Sequence, residues 1–426
     1  MELNINEILK IRTDIPLSSV TRFHMQWCIN DHAHLKLYGD ISYEAAVRYQ
    51  NENCSGNCII VTYFEEQKEQ VLFNGLVRNS VISFEGRCAQ IEIEGISATW
   101  KLDIVKQFRS FQDKDMTYAA LARKVADYTG ASVISLIGKN TKLQKPLIQY
   151  RETDWEFLRR ISSHLNKYIL CDVITGKPAF WFGMRNGKRV VLPAEHSYDL
   201  NFDPILKRQV YIVNSRNAYK IGDKVIYKGE ELIILRRECV FHDELIFTYT
   251  LGSESVLDQT IQYNCAISGC GFWGKVIAIS GEMLKIALEM DRDEECGEYW
   301  FPWRPETGNI MYAMPEIGST VLLTIPGNDE RCAIANSCLH KEEAIINRGW
   351  TFEKRQLETM EGSVIKLYQE KLEFSRKEGD HLLHLSDGNI LCKTNKRIKI
   401  EAGKKVYLKS VTACIKASER IDGIVG

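Results

Sequence analysis

Tyr299, Trp300, Phe301, Pro302 and Trp303 place four aromatic rings and a proline in five consecutive positions, and no other stretch of the chain is as restrictive. Rings of this size must be buried or stacked, and proline has no N–H for a ladder, so the segment predicts a short strand that ends at once. The surrounding sequence has the same short rhythm. Phe272, Trp273, Val276, Ile277 and Ile279 predict one strand, Gly281 a turn, and Met283, Ile286, Leu288 and Met290 the answering strand, before a polar loop at 291–297. Met314, Pro315, Glu316, Ile317 and Gly318 predict a turn into an apolar run at 321–325, which Pro326, Gly327, Asn328 and Asp329 close before a last strand begins at Ala333. Five short strands of this kind predict a small OB-type barrel over residues 263–340.

Composition narrows the class. At about 150 residues per domain, 426 residues are enough for about three domains. A hydrophobic fraction of 45% and a charged fraction of 26% predict a globular chain, neither disordered nor a membrane protein. The formal net charge of −1 disfavours an obligate nucleic-acid binder. No apolar run approaches the roughly 20 residues that span a bilayer, and Glu2, Asn4 and Glu7 stand where a signal peptide has its apolar core. The expected location is therefore the cytoplasm, unless a machine exports the protein. Thirteen scattered cysteines, an odd number, fit a reducing compartment better than a disulfide framework. Cys54 and Cys58, with His32 and His34, lack the paired spacing of a zinc site, so no metal is expected.

Taken in order, residues 1–100 predict a first β-domain. Ala33, Leu35 and Leu37 alternate with His32, His34, Lys36 and Tyr38, which predicts a half-buried strand with a polar face. Residues 101–170 switch to helical spacing. Tyr118, Leu121, Ala122, Val125 and Tyr128 form one stripe, with Asp115 or Thr117 as N-cap and Gly130 as stop. Thr153 and Glu156 form a capping-box pair ahead of Trp155, Leu158, Ile161 and Leu165. The segment from Gln149 to Arg160 predicts a strand-to-helix corner in which Arg151 and Glu152 are opposite charges in the turn. It holds no nucleophile or histidine base, so no catalytic residue is expected there. Residues 171–262 predict a second β-domain, with turns at Asn186-Gly187 and Lys228-Gly229 and a strand in which Leu245, Phe247, Tyr249 and Leu251 alternate. Residues 341–426 predict a linker and then brief strands, the last at 398–400 and 406–408, with one apolar face that a single copy leaves uncovered.

Several ordered motifs resemble one family. Trp300-Phe301-Pro302, then Met314-Pro315-Glu316-x-Gly318, then Ile325-Pro326-Gly327 resemble the OB domain of the VgrG and phage late-control protein D family, the central spike-hub proteins of contractile injection systems. Phe73-Asn74-Gly75-Leu76-Val77 and the segment from Phe108 to Lys114 resemble earlier family motifs. Gln149, Tyr150, Arg151, Glu152, Asp154, Phe157 and Arg160 resemble its strand-to-helix motif nearly position for position. The resemblance runs from about Phe73 to Leu339.

It implies a mainly β fold of tandem hub β-barrels with a small α/β insertion, an OB-fold barrel and a C-terminal trimeric β-prism or β-helix. It also implies a structural homotrimer that joins an inner tube protein and baseplate proteins to a membrane-piercing tip; the family often carries a lysozyme-like insertion or a toxin, but the stretch from His340 to Glu361 is too short to hold a hydrolase, so no enzymatic activity, cofactor or nucleic acid is expected. The target membrane would be touched only on firing, and an effector could travel as cargo. Ile421, Ile424 and Val425 would dock a separate PAAR-like tip protein. Two other classes compete. An envelope-degrading hub hydrolase needs a carboxylate pair or a Cys/His arrangement in a cleft. An OB-fold oligonucleotide binder would stack bases on Trp273, Trp300, Phe301 and Trp303.

Overall fold

The structure is a computed structural model that describes residues 2–5, 8–49, 56–65, 67–192, 197–204, 208–227, 229–254, 258–291, 297–306, 313–339, 355–359, 362–376, 381–386, 388–394, 397–407, 409–412, 414 and 416. Ile421, Ile424, Val425 and Cys54 lie outside them. The chain divides into two units, Met1–Leu339 and His340–Gly426.

In the first unit, alternation of side chains builds one large sheet. Phe23, Met25 and Trp27 point to the core from the strand Leu17–Cys28, and Leu35 and Leu37 from His34–Ile41, all at most 1% exposed. The sheet holds thirteen strands. From one edge they run Glu2–Ile5, Leu9–Thr13, Cys58–Glu65, Lys68–Glu85, Cys88–Ser97, His34–Ile41, Leu17–Cys28, Glu230–Phe241, Leu245–Gly252, Arg208–Ser215 and Tyr198–Asp203, while Lys224–Tyr227 and Arg189–Val191 branch from Glu230–Phe241. Gly75 permits one close approach in this sheet, because a Cβ there would meet the Ile96 carbonyl oxygen at 2.3 Å.

Helix α1 (Tyr43–Tyr49) is short, and α2 (Tyr118–Tyr128) and α3 (Asp154–Ser163) lie over the same apolar core. Thr117 caps α2, its hydroxyl accepting from the Ala120 N–H, and Gly130 follows in the left-handed region at φ +67°. The antiparallel pair Gln107–Phe111 and Leu147–Glu152 leads into α3. Beside it, Ala179–Phe182 pairs parallel with Ser132–Ser135 and antiparallel with Ile169–Cys171.

The protein is mainly β, but among the described residues no sheet closes into a barrel, so neither the hub barrels nor the OB barrel expected from the sequence forms. The two expected hub barrels are one open sheet, because Leu17–Cys28 pairs with Glu230–Phe241 from Phe23↔Phe241 to Cys28↔Arg236. The expected OB barrel is an open five-stranded sheet, ordered Trp300–Pro302, Met283–Leu288, Gly271–Ser280, Thr320–Thr324, Ile334–Leu339. Its two ends meet at a single isolated bridge, Trp303 to Ala335. Pro302 contributes no N–H, and the strand it ends is three residues long, so no ladder forms along that seam.

In the second unit, the expected prism is an open antiparallel meander of Arg355–Glu358, Ser363–Leu367, Lys371–Arg376, His381–Ser386 and Asn389–Leu391. Of the strands expected at 398–400 and 406–408, the described residues 398–400, 406 and 407 lie in no strand, and Ile398, Ile400 and Val406 are exposed, while Leu408 lies outside the described residues.

Candidate functional site

The motif from Gln149 to Arg160 organises the most buried charge in the first unit. The strand Leu147–Glu152 bulges between Tyr150 and Glu152, and Arg151 sits at the bulge with φ +53°. That extra residue turns Arg151 outward, its guanidinium 5.3 Å from the Tyr150 ring, and sends Glu152 inward. The expected Arg151–Glu152 pair is therefore not made. Glu152 instead receives Arg160 in a two-pronged contact, Nε to Oε1 at 2.7 Å and Nη2 to Oε2 at 2.8 Å.

Arg160 is 3% exposed and makes two further hydrogen bonds. Nη1 donates to Glu330 Oε1 at 2.6 Å and Nη2 to the Ile148 carbonyl at 2.9 Å. Burial would lower the guanidinium pKa, but Glu330 and Glu152 hold it above its ordinary value. Burial raises the Glu152 carboxyl against the pull of Arg160. Glu330, 1% exposed, lies in a single 3-10 turn, Glu330–Cys332, between the last two strands of the five-stranded sheet. The cluster thus pins helix α3 to that sheet.

A second layer surrounds it. Asp154, 1% exposed, accepts from Gln149 Nε2 at 3.0 Å and Arg109 Nη1 at 3.1 Å; burial raises its pKa and those two partners oppose the rise. The capping box is present as expected: Glu156 N–H donates to the Thr153 hydroxyl at 3.1 Å and Thr153 N–H to Glu156 Oε2 at 2.9 Å. The Thr153 hydroxyl also donates to Asp103. Burial would raise the Asp103 carboxyl, but His32 and Thr153 hold it below the ordinary carboxylate value. Phe157 stacks on Phe111 at 5.4 Å, and Tyr150 meets the rings of Phe108 and Phe272 edge-on at 5.5 and 5.2 Å.

The aromatic motif lies on the five-stranded sheet. Phe301 is 1% exposed and Trp303 7%, with Trp303 Nε1 donating to the Ala313 carbonyl at 2.9 Å. Trp300 and Pro302 are half-buried, with Lys285 Nζ 5.2 Å from the Trp300 ring. Pro315 is buried, Met314 partly so, and Glu316 exposed. Gly318, at φ +84°, donates to the Val276 carbonyl at 2.7 Å.

Sequence reasoning missed Glu330, Arg109 and Asp103. Only the run Asp329-Glu330-Arg331 signalled a polar turn, and nothing local marked its middle residue for burial. His32, expected on a polar strand face, is 4% exposed. It stacks on Trp155 at 4.6 Å, with Nδ1 2.8 Å from the Thr99 hydroxyl and Nε2 3.4 Å from Asp103. This carboxylate–imidazole–hydroxyl chain resembles a hydrolytic triad, yet Thr99 is 0% exposed, so no substrate reaches its oxygen. Among the described residues, no group of three His, Cys, Asp or Glu side chains is placed to hold a metal ion.

No protein-family model matches the chain, and no curated protein matches it. Solved structures do. The E. coli c3393 protein, a component of the type VI secretion system with structural similarity to T4 bacteriophage tail proteins gp27 and gp5, matches at TM-score 0.55 and 13% identity, over 78% of this chain and 99% of that one. A chain of the half-lidded Francisella PdpA–VgrG complex matches at TM-score 0.56 and 10% identity, over 91% and 87%. The lidded form of that complex matches at TM-score 0.55 and 10% identity, over 91% and 81%. At such identities these likenesses establish a shared fold.

Proposed function

We propose that this chain, which has the fold of the VgrG and phage-tail spike family, is a structural hub subunit of a contractile injection apparatus. The likeness to a chain of a VgrG-containing complex over 91% of the sequence carries the reading. The Arg160 cluster supports it, because charges used up in holding a helix to a sheet serve stiffness and leave no free acid, base or nucleophile at the motif. The role is mechanical, and no enzymatic activity is proposed. Its partners are an inner tube protein, baseplate proteins and a PAAR-like tip protein. Assembly takes place in the cytoplasm, and the chain leaves only within the machine.

The working form is a homotrimer. In the C-terminal meander, register puts Leu357, Ile365, Phe374 and Leu383 in one row and Leu367, Leu372, Leu385 and Ile390 in the next on the same face. Leu357, Leu367 and Ile390 are 48%, 45% and 72% exposed in a single copy. An apolar face of this kind favours association with further copies. Native mass spectrometry and sedimentation of the full chain should give a particle of three 49.0 kDa subunits. A stable monomer at micromolar concentration overturns the trimer.

A further inference from the structure

Charge is spread unevenly along the chain. Residues 388–426 hold nine lysines and arginines against three acidic residues, a net of +6, whereas residues 1–387 hold 46 against 53, a net of −7. The surplus lies within the second unit. Lys393, Arg397, Lys404, Lys405, Lys409 and Lys416 are all exposed there, and among the described residues none of them makes an ion pair. Of the three acidic residues, Glu419 and Asp422 lie outside the described residues, and Glu401 is taken by Lys399, whose Nζ lies 2.7 Å from Oε2.

The cations are interleaved with apolar side chains that also face water. Arg397 and Lys399 alternate with Ile398 and Ile400, and Lys405 and Lys409 flank Val406 and Tyr407; Ile400 is 74% and Tyr407 82% exposed. In an extended segment such alternation sends the two kinds of side chain to opposite sides. The complement of this pattern is fixed negative charge bordered by an apolar layer.

Two anionic surfaces could answer the charge, and the apolar side chains decide between them. A nucleic-acid backbone would take the lysines but leave Ile398, Ile400, Val406 and Val411 in water, and Tyr407 is the one aromatic ring in residues 388–426 on which a base could stack. An anionic bilayer answers both, because its headgroup phosphates meet the ammonium groups and its acyl boundary receives the apolar residues. All but one of the described cations are lysines, point charges that suit mobile headgroups better than a fixed two-pronged contact. We propose that the basic segment from Lys393 to Lys416 binds the surface of a bilayer containing anionic phospholipid. The occasion for that contact rests on the hub reading, in which the chain meets a target membrane on firing; the charge pattern does not.

Co-sedimentation of the full chain with vesicles of phosphatidylcholine, with and without phosphatidylglycerol as about a third of the lipid, at about 0.15 M salt, tests this. The chain should sediment with the anionic vesicles alone. The double variant Lys404→Gln, Lys405→Gln should lower its partition coefficient about thirtyfold, at about fivefold for each cation removed. Both positions are exposed, so the variant folds, and the exposed pair Lys101→Gln, Lys106→Gln in the first unit should change nothing. The proposal is overturned by absent binding, by equal binding to neutral vesicles, by an unchanged partition in the Lys404→Gln, Lys405→Gln variant, or by an equal loss in the first-unit variant. Release by oligothymidylate, added at a phosphate concentration equal to that of the anionic lipid, also overturns it and assigns the segment to nucleic acid. Native mass spectrometry of the same preparation keeps the two readings apart. A trimer that ignores the vesicles refutes the lipid contact and leaves the hub reading intact, while a monomer that binds them refutes the trimer and leaves the lipid contact.

Discussion

Arg160 satisfies two buried carboxylates and a buried carbonyl, so removing it strands Glu152 and Glu330 without a counter-charge. Arg160→Met should cost about 3–5 kcal/mol in urea unfolding, and Arg160→Lys should recover only part, because an ammonium cannot repeat the two-pronged contact. His164 makes stability depend on pH. Burial, aided by Arg160, lowers its pKa to about 4, and its Nδ1 lies 3.3 Å from the Tyr118 hydroxyl. An unfolded histidine titrates near 6.5, so between about 4 and 6.5 the unfolded chain binds the extra proton. Its contribution is complete above that window and is lost as pH falls through it, a swing of about 3 kcal/mol. Urea midpoints from pH 7 to 4 should fall accordingly, and His164→Phe should flatten that part of the curve.

Elements show where local pattern suffices. Thr153 and Glu156 are three residues apart, so their capping box was legible before any fold was known, as was the apolar stripe of α3 through Trp155, Leu158 and Ile161. The aromatic strand was legible in part. Two tryptophans flank Phe301-Pro302, and the structure buries Trp303 while leaving Trp300 half-exposed beside Lys285. Trp303→Ala should cost about 3–5 kcal/mol and lower the melting temperature clearly. Trp300→Ala should lower it less, since part of that ring already faces water. If the two melts fall equally, the assignment of Trp303 to the core is wrong.

Over the whole molecule, strand pairing overrides the divisions that sequence pattern proposes. Residues 1–100 and 171–262 read as separate barrels because each contains enough alternating strands for one. Pairing from Phe23↔Phe241 to Cys28↔Arg236 joins them into a single open sheet. Arg237 reinforces the junction from inside: it is 4% exposed, stacks 4.9 Å over Trp27, and donates to the carbonyls of Tyr219 and Leu72. A joined sheet resists separation of its halves, as the hub role proposed above requires.

The sequence by itself determined the caps and stripes of α2 and α3, most strands of the first unit and the ordered motifs that point to one family, because each depends on residues within a few positions of one another. It also marked Arg160, Glu152 and Asp154 as members of one corner. Only the tertiary structure decided that Glu152 faces Arg160 and not Arg151, that Glu330 arrives from 170 positions away in the chain, and that no sheet closes among the described residues. Burial of a charge is settled by its partners' positions, and closure by which edges come within hydrogen-bonding reach, so neither is written in the local alternation of side chains.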